Sequence, residues 1–196
     1  MRWAGEVTMA ATPGRQALAA LYAQIEERCA ASRSQYPEWP CRQGCSACCR
    51  ALARAPQVTQ AEWALIAAGV SLLPEETRQE IGRRVAALPD GEAPGRHVVC
   101  PFLDEARGSC RIYVHRPAAC RMYGFYVDRA DGLWCQQIEV LCNAGALQGV
   151  VLGNHAAVAR RLAAELGPVR SVRQWWDGAG EGRSGACTGN GPQERC

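Results

Sequence analysis

Apolar positions recur at helical spacing along much of the chain. Residues 15–31 place Leu18, Leu21, Tyr22 and Ile25 on one face, which predicts an amphipathic helix with Cys29 near its end. Pro37 and Pro40 break it. Thr59-Gln60-Ala61-Glu62 is a capping box, so a short helix is expected from Gln60 to Ala68, stopping at Gly69. A second is expected at 74–88, opened by Pro74, Glu75 and Glu76 and closed by Arg83 and Arg84, its charges reading as a solvated face. Further helices are expected after Pro117, from Glu139 to Gln148, from Asn154 to Leu166, and around Trp175-Trp176, which would dock the last one. Strand character is confined to Val98–Leu103 and Arg111–Val114. Without strand–helix alternation neither a Rossmann nor a TIM framework is supported. The fold class is mainly α: a small, irregular, α-rich domain with one short β-hairpin.

A length of 196 residues suits one domain with tails. The expected organisation is a flexible N-terminus at 1–14, a single domain at 15–177, a turn-rich loop at 90–96 and a disordered Gly-rich tail at 178–196. A run of about 18 apolar residues is lacking, so no membrane span is expected. The first residues carry no secretory core, and cytoplasmic location is the expectation. A formal charge of +3 is too small to imply nucleic acid or a membrane surface as partner. All 22 basic residues are arginine, which excludes lysine Schiff-base chemistry.

Cysteine changes the picture. There are 12, and nine fall between residues 41 and 142: Cys41, Cys45, Cys48, Cys49, Cys100, Cys110, Cys120, Cys135 and Cys142. Cytosolic thiols are kept reduced, so such a cluster points to metal binding or redox work and away from a disulfide framework. Thiolates are soft donors that suit zinc and iron–sulfur centres. In a single helix, Cys41 and Cys48 would share a face yet stand about 10.5 Å apart along the axis, beyond one tetrahedral ion with bonds of about 2.3 Å. Either the chain loops around a centre up to Gly44, with a helix beginning near Cys45, or the cluster feeds two centres. The adjacent pair Cys48-Cys49 favours the second. Cys100 precedes a proline and is extended, while Cys120 lies in the first turn after Pro117, where the helix start would stabilise a thiolate. Arg42, Arg50, Arg111, Arg116 and Arg121 border these cysteines, and Arg116 and Arg121, which flank Cys120, are the candidates for offsetting an anionic centre.

The motifs Cys41-Arg-Gln-Gly-Cys45-Ser-Ala-Cys48-Cys49, Cys100-Pro-Phe-Leu, Cys110-Arg-Ile-Tyr-Val-His-Arg-Pro-Ala-Ala-Cys120-Arg and Cys142-Asn resemble those of the YkgJ-type cysteine-cluster proteins. The resemblance spans residues 41–145 and implies a zinc- or iron-chelating domain. It implies Cys41, Cys45, Cys48, Cys49, Cys100, Cys110, Cys120 and Cys142 as ligands; Cys135 matches no position of the pattern. A related cysteine motif occurs in flagellin lysine N-methylases, for which this chain is short.

Two other patterns compete. Cys41-x3-Cys45-x2-Cys48 has the radical S-adenosylmethionine spacing, but Ala47 stands where an aromatic usually precedes the third cysteine, and the barrel's repeats are missing. A Cys45/Cys48 dithiol lacks a thioredoxin-like context. His97, His115 and His155 read as structural, and Tyr113, Tyr123 and Tyr126 as shields of the centre. The expectation is a metal-binding protein whose cofactor is an iron–sulfur cluster, preferred, or Zn2+. The alternative is a metal-dependent enzyme, an oxidoreductase or a protein- or peptide-modifying enzyme, using the same centre.

Overall fold

The structure is a computed structural model, and it describes residues 13–89, 97–128 and 135–181. The expectations for 1–12, for the 90–96 loop and for the tail beyond Glu181 lie outside the described residues.

Eight α-helices and six short strands are found among them. Helix α1 (Pro13–Gln35) is longer than its apolar pattern and buries Leu18, Leu21, Tyr22, Ile25, Cys29 and Ser32 as one stripe. A single turn of helix, α2 (Ala47–Arg50), follows the first cysteines. Strand β1 (Gln57–Thr59) leads into α3 (Gln60–Ser71), and the capping box at Thr59 and Glu62 is formed on both sides. Helix α3 runs through Gly69, where the sequence predicts a stop. A Cβ there would stand 2.7 Å from the His115 ring, so the glycine serves close packing inside the helix.

Helix α4 (Glu75–Ala86) is next, with Pro74 as its cap. The predicted hairpin exists but is shifted: β2 (Leu103–Asp104) pairs antiparallel with β3 (Ser109–Cys110), and residues 113–115 form a 3-10 turn. Helix α5 (Ala118–Met122) opens after Pro117. Strand β4 (Tyr126–Val127), α6 (Gln136–Asn143), β5 (Gly153–Asn154), α7 (His155–Glu165), β6 (Val169–Ser171) and α8 (Val172–Glu181) complete the order. Strands β4 and β5 are parallel partners, and β6 returns antiparallel to β1. Sequence reading misses both pairings, because strands of two or three residues are too short to show a period. Trp175 and Trp176 dock α8: the Trp175 indole donates to the Val58 carbonyl at 3.0 Å, and Trp176 packs edge-on against Trp63.

The apolar side chains form two cores. One gathers α1, Trp39, α5, Phe125, Ile138 and Leu162; the other gathers α3, α4, Phe102, Leu103, Ile112 and Val172. Buried Glu62, only 2% exposed, links elements of both. Its carboxylate accepts from Thr59 N at 2.9 Å, Thr59 Oγ at 3.0 Å, Ala118 N at 2.8 Å and the Tyr22 hydroxyl at 3.3 Å. The Ala118 bond satisfies a donor that the start of α5 would otherwise orphan. Among the described residues no helix is long and apolar enough to cross a membrane.

Replacing Glu62 by alanine strands these buried donors. The expected loss is about 2–4 kcal/mol in denaturant unfolding, with Glu62→Gln costing less because one acceptor oxygen survives.

Candidate metal centre

The segment after Trp39 cannot continue as a helix. Cys45 N bonds back to Arg42 O at 3.0 Å, Gly44 adopts φ +93°, and helix α2 begins only after Ser46. Looping of the chain ahead of Cys45 and Cys48 is thus what the structure shows, with the helical turn starting two residues after Cys45. This loop and α2 present Cys41, Cys45, Cys48 and Cys49 to one cavity of about 50 Å³.

Backbone pairing brings the rest of the chain to it. Leu52 and Val98 exchange both of their hydrogen bonds at 2.9 and 2.8 Å, and Cys100 N donates to Cys49 O at 2.7 Å. That register sets Cys100 beside Cys49. The β2–β3 hairpin then folds back so that Cys110 pairs with Leu103 and also faces the cavity. Cys120 arrives on α5 and Cys135 at the cap of α6, making eight cysteines along one wall system. Seven of them are in the sequence-predicted ligand set. Cys142 is not among the lining residues, and Cys135, which that set omits, is. The two lie seven residues apart along α6, about 10 Å of helix rise. The i, i+3 spacing of Cys135 and Ile138 on one helix face was the available signal.

Among the described residues no histidine, aspartate or glutamate lines the cavity. His115 packs on Gly69 and His155 lies 3.6 Å from Asp128. Tyr113 and Tyr123 do line it, whereas the Tyr126 ring covers Gly153. All ten described cysteines are free thiols.

The side chains of α4 make more than a solvated face. Arg84 donates to the carbonyls of Leu103 at 2.7 Å and Cys100 at 3.2 Å, and Glu80 accepts two bonds from Arg111 at 2.6 and 3.2 Å. These bonds clamp the segment that carries Cys100 and Cys110. Of the five arginines near the cysteines, Arg116 and Arg42 line the cavity. Arg111 is taken by Glu80, Arg50 bonds Ser46 Oγ and Glu105 O, and Arg121 is turned away to Glu26, Arg116 O and Val114 O.

Six of the lining thiols have their pKa values raised above the usual range. Burial, then the neighbouring Cys48 and Cys45, push Cys41 up to about 12. Its Sγ lies 3.1 Å from the Tyr123 carbonyl as a donor. Hydrogen bonding to Cys100 is the first cause that pushes Cys49 up to about 12, and bonding to Cys49 is the first that raises Cys48. Cys110 and Cys135 are raised chiefly by burial. Cys120 corrects the expectation of a helix-stabilised thiolate. Burial and then Cys48, Cys49 and Cys110 raise its pKa, and these outweigh a helix of five residues. Arg116 opposes the rise at Cys41, Cys48, Cys110 and Cys120.

Among the described residues no three His, Cys, Asp or Glu side chains stand at the spacing of a bound ion. The donor chemistry nevertheless fits zinc or iron: the lining donors are sulfur. The Cys48 and Cys49 sulfurs are 4.0 Å apart, close to the edge of about 3.8 Å for four thiolates around zinc. The remaining sulfurs need to close in. A second concavity of about 280 Å³ adjoins the first and shares Cys41, Arg42, Tyr113, Arg116 and Cys120 with it.

A family model described as "CxxCxxCC: Putative zinc- or iron-chelating domain" matches residues 40–143, more than half of the chain. No curated protein and no solved structure gives a match.

Two outcomes are expected from this geometry. A thiol whose folded pKa exceeds its unfolded value of 9.0 favours the fold fully below pH 9 and loses that contribution as pH rises through the folded value. Metal-free protein should therefore lose urea resistance between pH 9 and about 12, the window of Cys29, Cys41 and Cys49; an unchanged midpoint across it would contradict the burial described. Gly124 has φ +79°, and a Cβ there would stand 3.2 Å from Cys41 Cβ and 3.4 Å from its Sγ. Gly124→Ala should cost about 1–2 kcal/mol of stability in the left-handed region and lower the metal content by displacing Cys41, as read by calorimetry and elemental analysis.

Proposed function

This chain belongs to the CxxCxxCC family, and from that premise we propose that it holds iron or zinc in a polynuclear centre ligated by sulfur alone. The single observation that carries the reading is the convergence of eight cysteines from five separate segments on one cavity. One tetrahedral ion takes four thiolates, so eight exceed a single structural zinc site. The proposed ligands are Cys41, Cys45, Cys48, Cys49, Cys100, Cys110 and Cys120, with Cys135 in place of Cys142. A bound centre would supply positive charge for the thiolates and, as an iron–sulfur cluster, one-electron chemistry.

The chain's own residues define the rest. Arg116 and Arg42 offset the excess negative charge of the ligands. Tyr113, Tyr123, Ile66, Phe102 and Val172 line the cavity beside the sulfurs and limit the approach of water to them. Each thiol must release its proton on loading, so binding competes with acid and is strengthened by base. The iron–sulfur form is the first reading, since sulfur donors alone line the cavity and inorganic sulfide joins several iron atoms into one polynuclear centre. Zinc is the second: a cavity of about 50 Å³ accepts ions with less outward movement than a cluster requires. An enzymatic use of the centre draws on the adjoining concavity, which gives a ligand access to Cys41 and Cys120.

The test is elemental and sulfide analysis of protein purified without oxygen, with its visible spectrum. More than one metal atom per chain is expected, and a single zinc without sulfide would overturn the polynuclear reading. Cys135→Ser should lower the metal content, while Cys142→Ser should leave it unchanged.

A further inference from the structure

The concavity of about 280 Å³ beside the cysteine cavity is lined by four arginines, Arg33, Arg42, Arg116 and Arg121, and one carboxylate, Glu26. Glu26 is already committed, accepting from Arg121 at 2.8 Å. Arg121 is likewise spent, since its other nitrogens donate to the Arg116 and Val114 carbonyls. That leaves three guanidinium groups. Among the described residues none of these three has a carboxylate partner.

Two of the three are held in place by rings. Arg116 lies 3.7 Å over Tyr113 and spends only Nε, on the Tyr113 carbonyl. Its terminal nitrogens have no acceptor among the described residues. Arg33 lies 5.2 Å over Phe125, which stacks in turn on buried Trp39 at 5.2 Å. Arg42 is exposed at the rim. Charge balance for the metal ligands accounts for Arg116 and Arg42, which line both concavities. It does not account for Arg33, which lines the outer one alone. Converging, pre-positioned guanidinium groups with free donors are what recognition of a multivalent oxyanion requires.

We propose that this cleft binds a small oxyanion of two or more negative charges, a polycarboxylate or a phosphate, and seats it against Cys41 and Cys120. The proposal deepens the metal-centre reading by assigning a ligand class to the approach to that centre. The anion site itself stands on the arginines, and it is measurable without metal.

The experiment titrates inorganic phosphate and, separately, citrate into as-isolated and metal-stripped protein by calorimetry at constant ionic strength. Constant ionic strength removes general screening from the comparison. Saturable binding of at least one probe is expected, and the preferred probe identifies phosphate or carboxylate as the chemistry. Arg33→Gln and Arg42→Gln should each weaken it about tenfold, the effect of one charge-assisted hydrogen bond. Arg161→Gln, a charge loss on α7 that lines neither concavity, should not. Exposed Arg42 provides a variant that tests the site even where Arg33→Gln perturbs packing on Phe125. Equal affinity in wild type, Arg42→Gln and Arg161→Gln would overturn the proposal, as would absence of saturable binding of both probes. Metal content measured on the same samples separates the two readings: anion binding by as-isolated protein that contains no metal supports the cleft while removing the centre.

Discussion

Eight sulfur atoms sharing one small cavity impose an electrostatic condition on everything around them. As thiolates they would repel one another at close quarters, with two guanidinium groups lining the wall. As thiols they are tolerable, because a thiol carries no charge and several donate to a neighbouring sulfur or carbonyl. Burial and mutual contact raise the pKa of six of them, and the same crowding favours metal cations once protons leave. Burial that opposes ionisation in one state becomes a strongly coordinating environment in the other.

The position of the cavity gives that condition structural reach. Cys41 and Cys135 pack with the core built on α1, α5 and Ile138, while Cys49, Cys100 and Cys110 pack with the core built on α3 and α4. Ligands from both sides meet at the seam. A centre held there ties the two cores together, in addition to the links that need no metal. Glu62 is the foremost of these, since it fixes the start of α5, and hence Cys120, to α1 and α3. Arg84 does the same for Cys100 by donating to the Cys100 and Leu103 carbonyls.

Local physics explains which elements were legible in the chain. The capping box, the Leu18–Ile25 stripe and the Pro117 start are each written within a few residues, and each is realised. The loop ahead of Cys48 was legible only as one of two solutions to the helix-rise constraint, and the adjacent Cys48-Cys49 pair pointed to the other. Other features depend on partners far along the chain. Gly69 reads as a stop, yet the His115 ring that needs its missing Cβ arrives 46 residues later. Glu80 and Arg84 read as solvent-facing because their partners, Arg111 and the carbonyls of Cys100 and Leu103, belong to another segment.

The amino-acid sequence by itself determined a mainly helical chain and an excess of soft donors, since periodicity, capping and residue chemistry are properties of short windows. Tertiary structure decided which sulfurs face one another. Backbone pairing of Leu52 with Val98 brings Cys49 to Cys100, the hairpin returns Cys110, and the cap of α6 turns Cys135 inward while helix rise carries Cys142 away. It also decided that Arg116 serves the cavity while Arg121 serves Glu26, because a guanidinium reaches whichever acceptor the fold sets within a few ångströms. Spacing in sequence limits such encounters, but only the packed arrangement of distant segments selects among them.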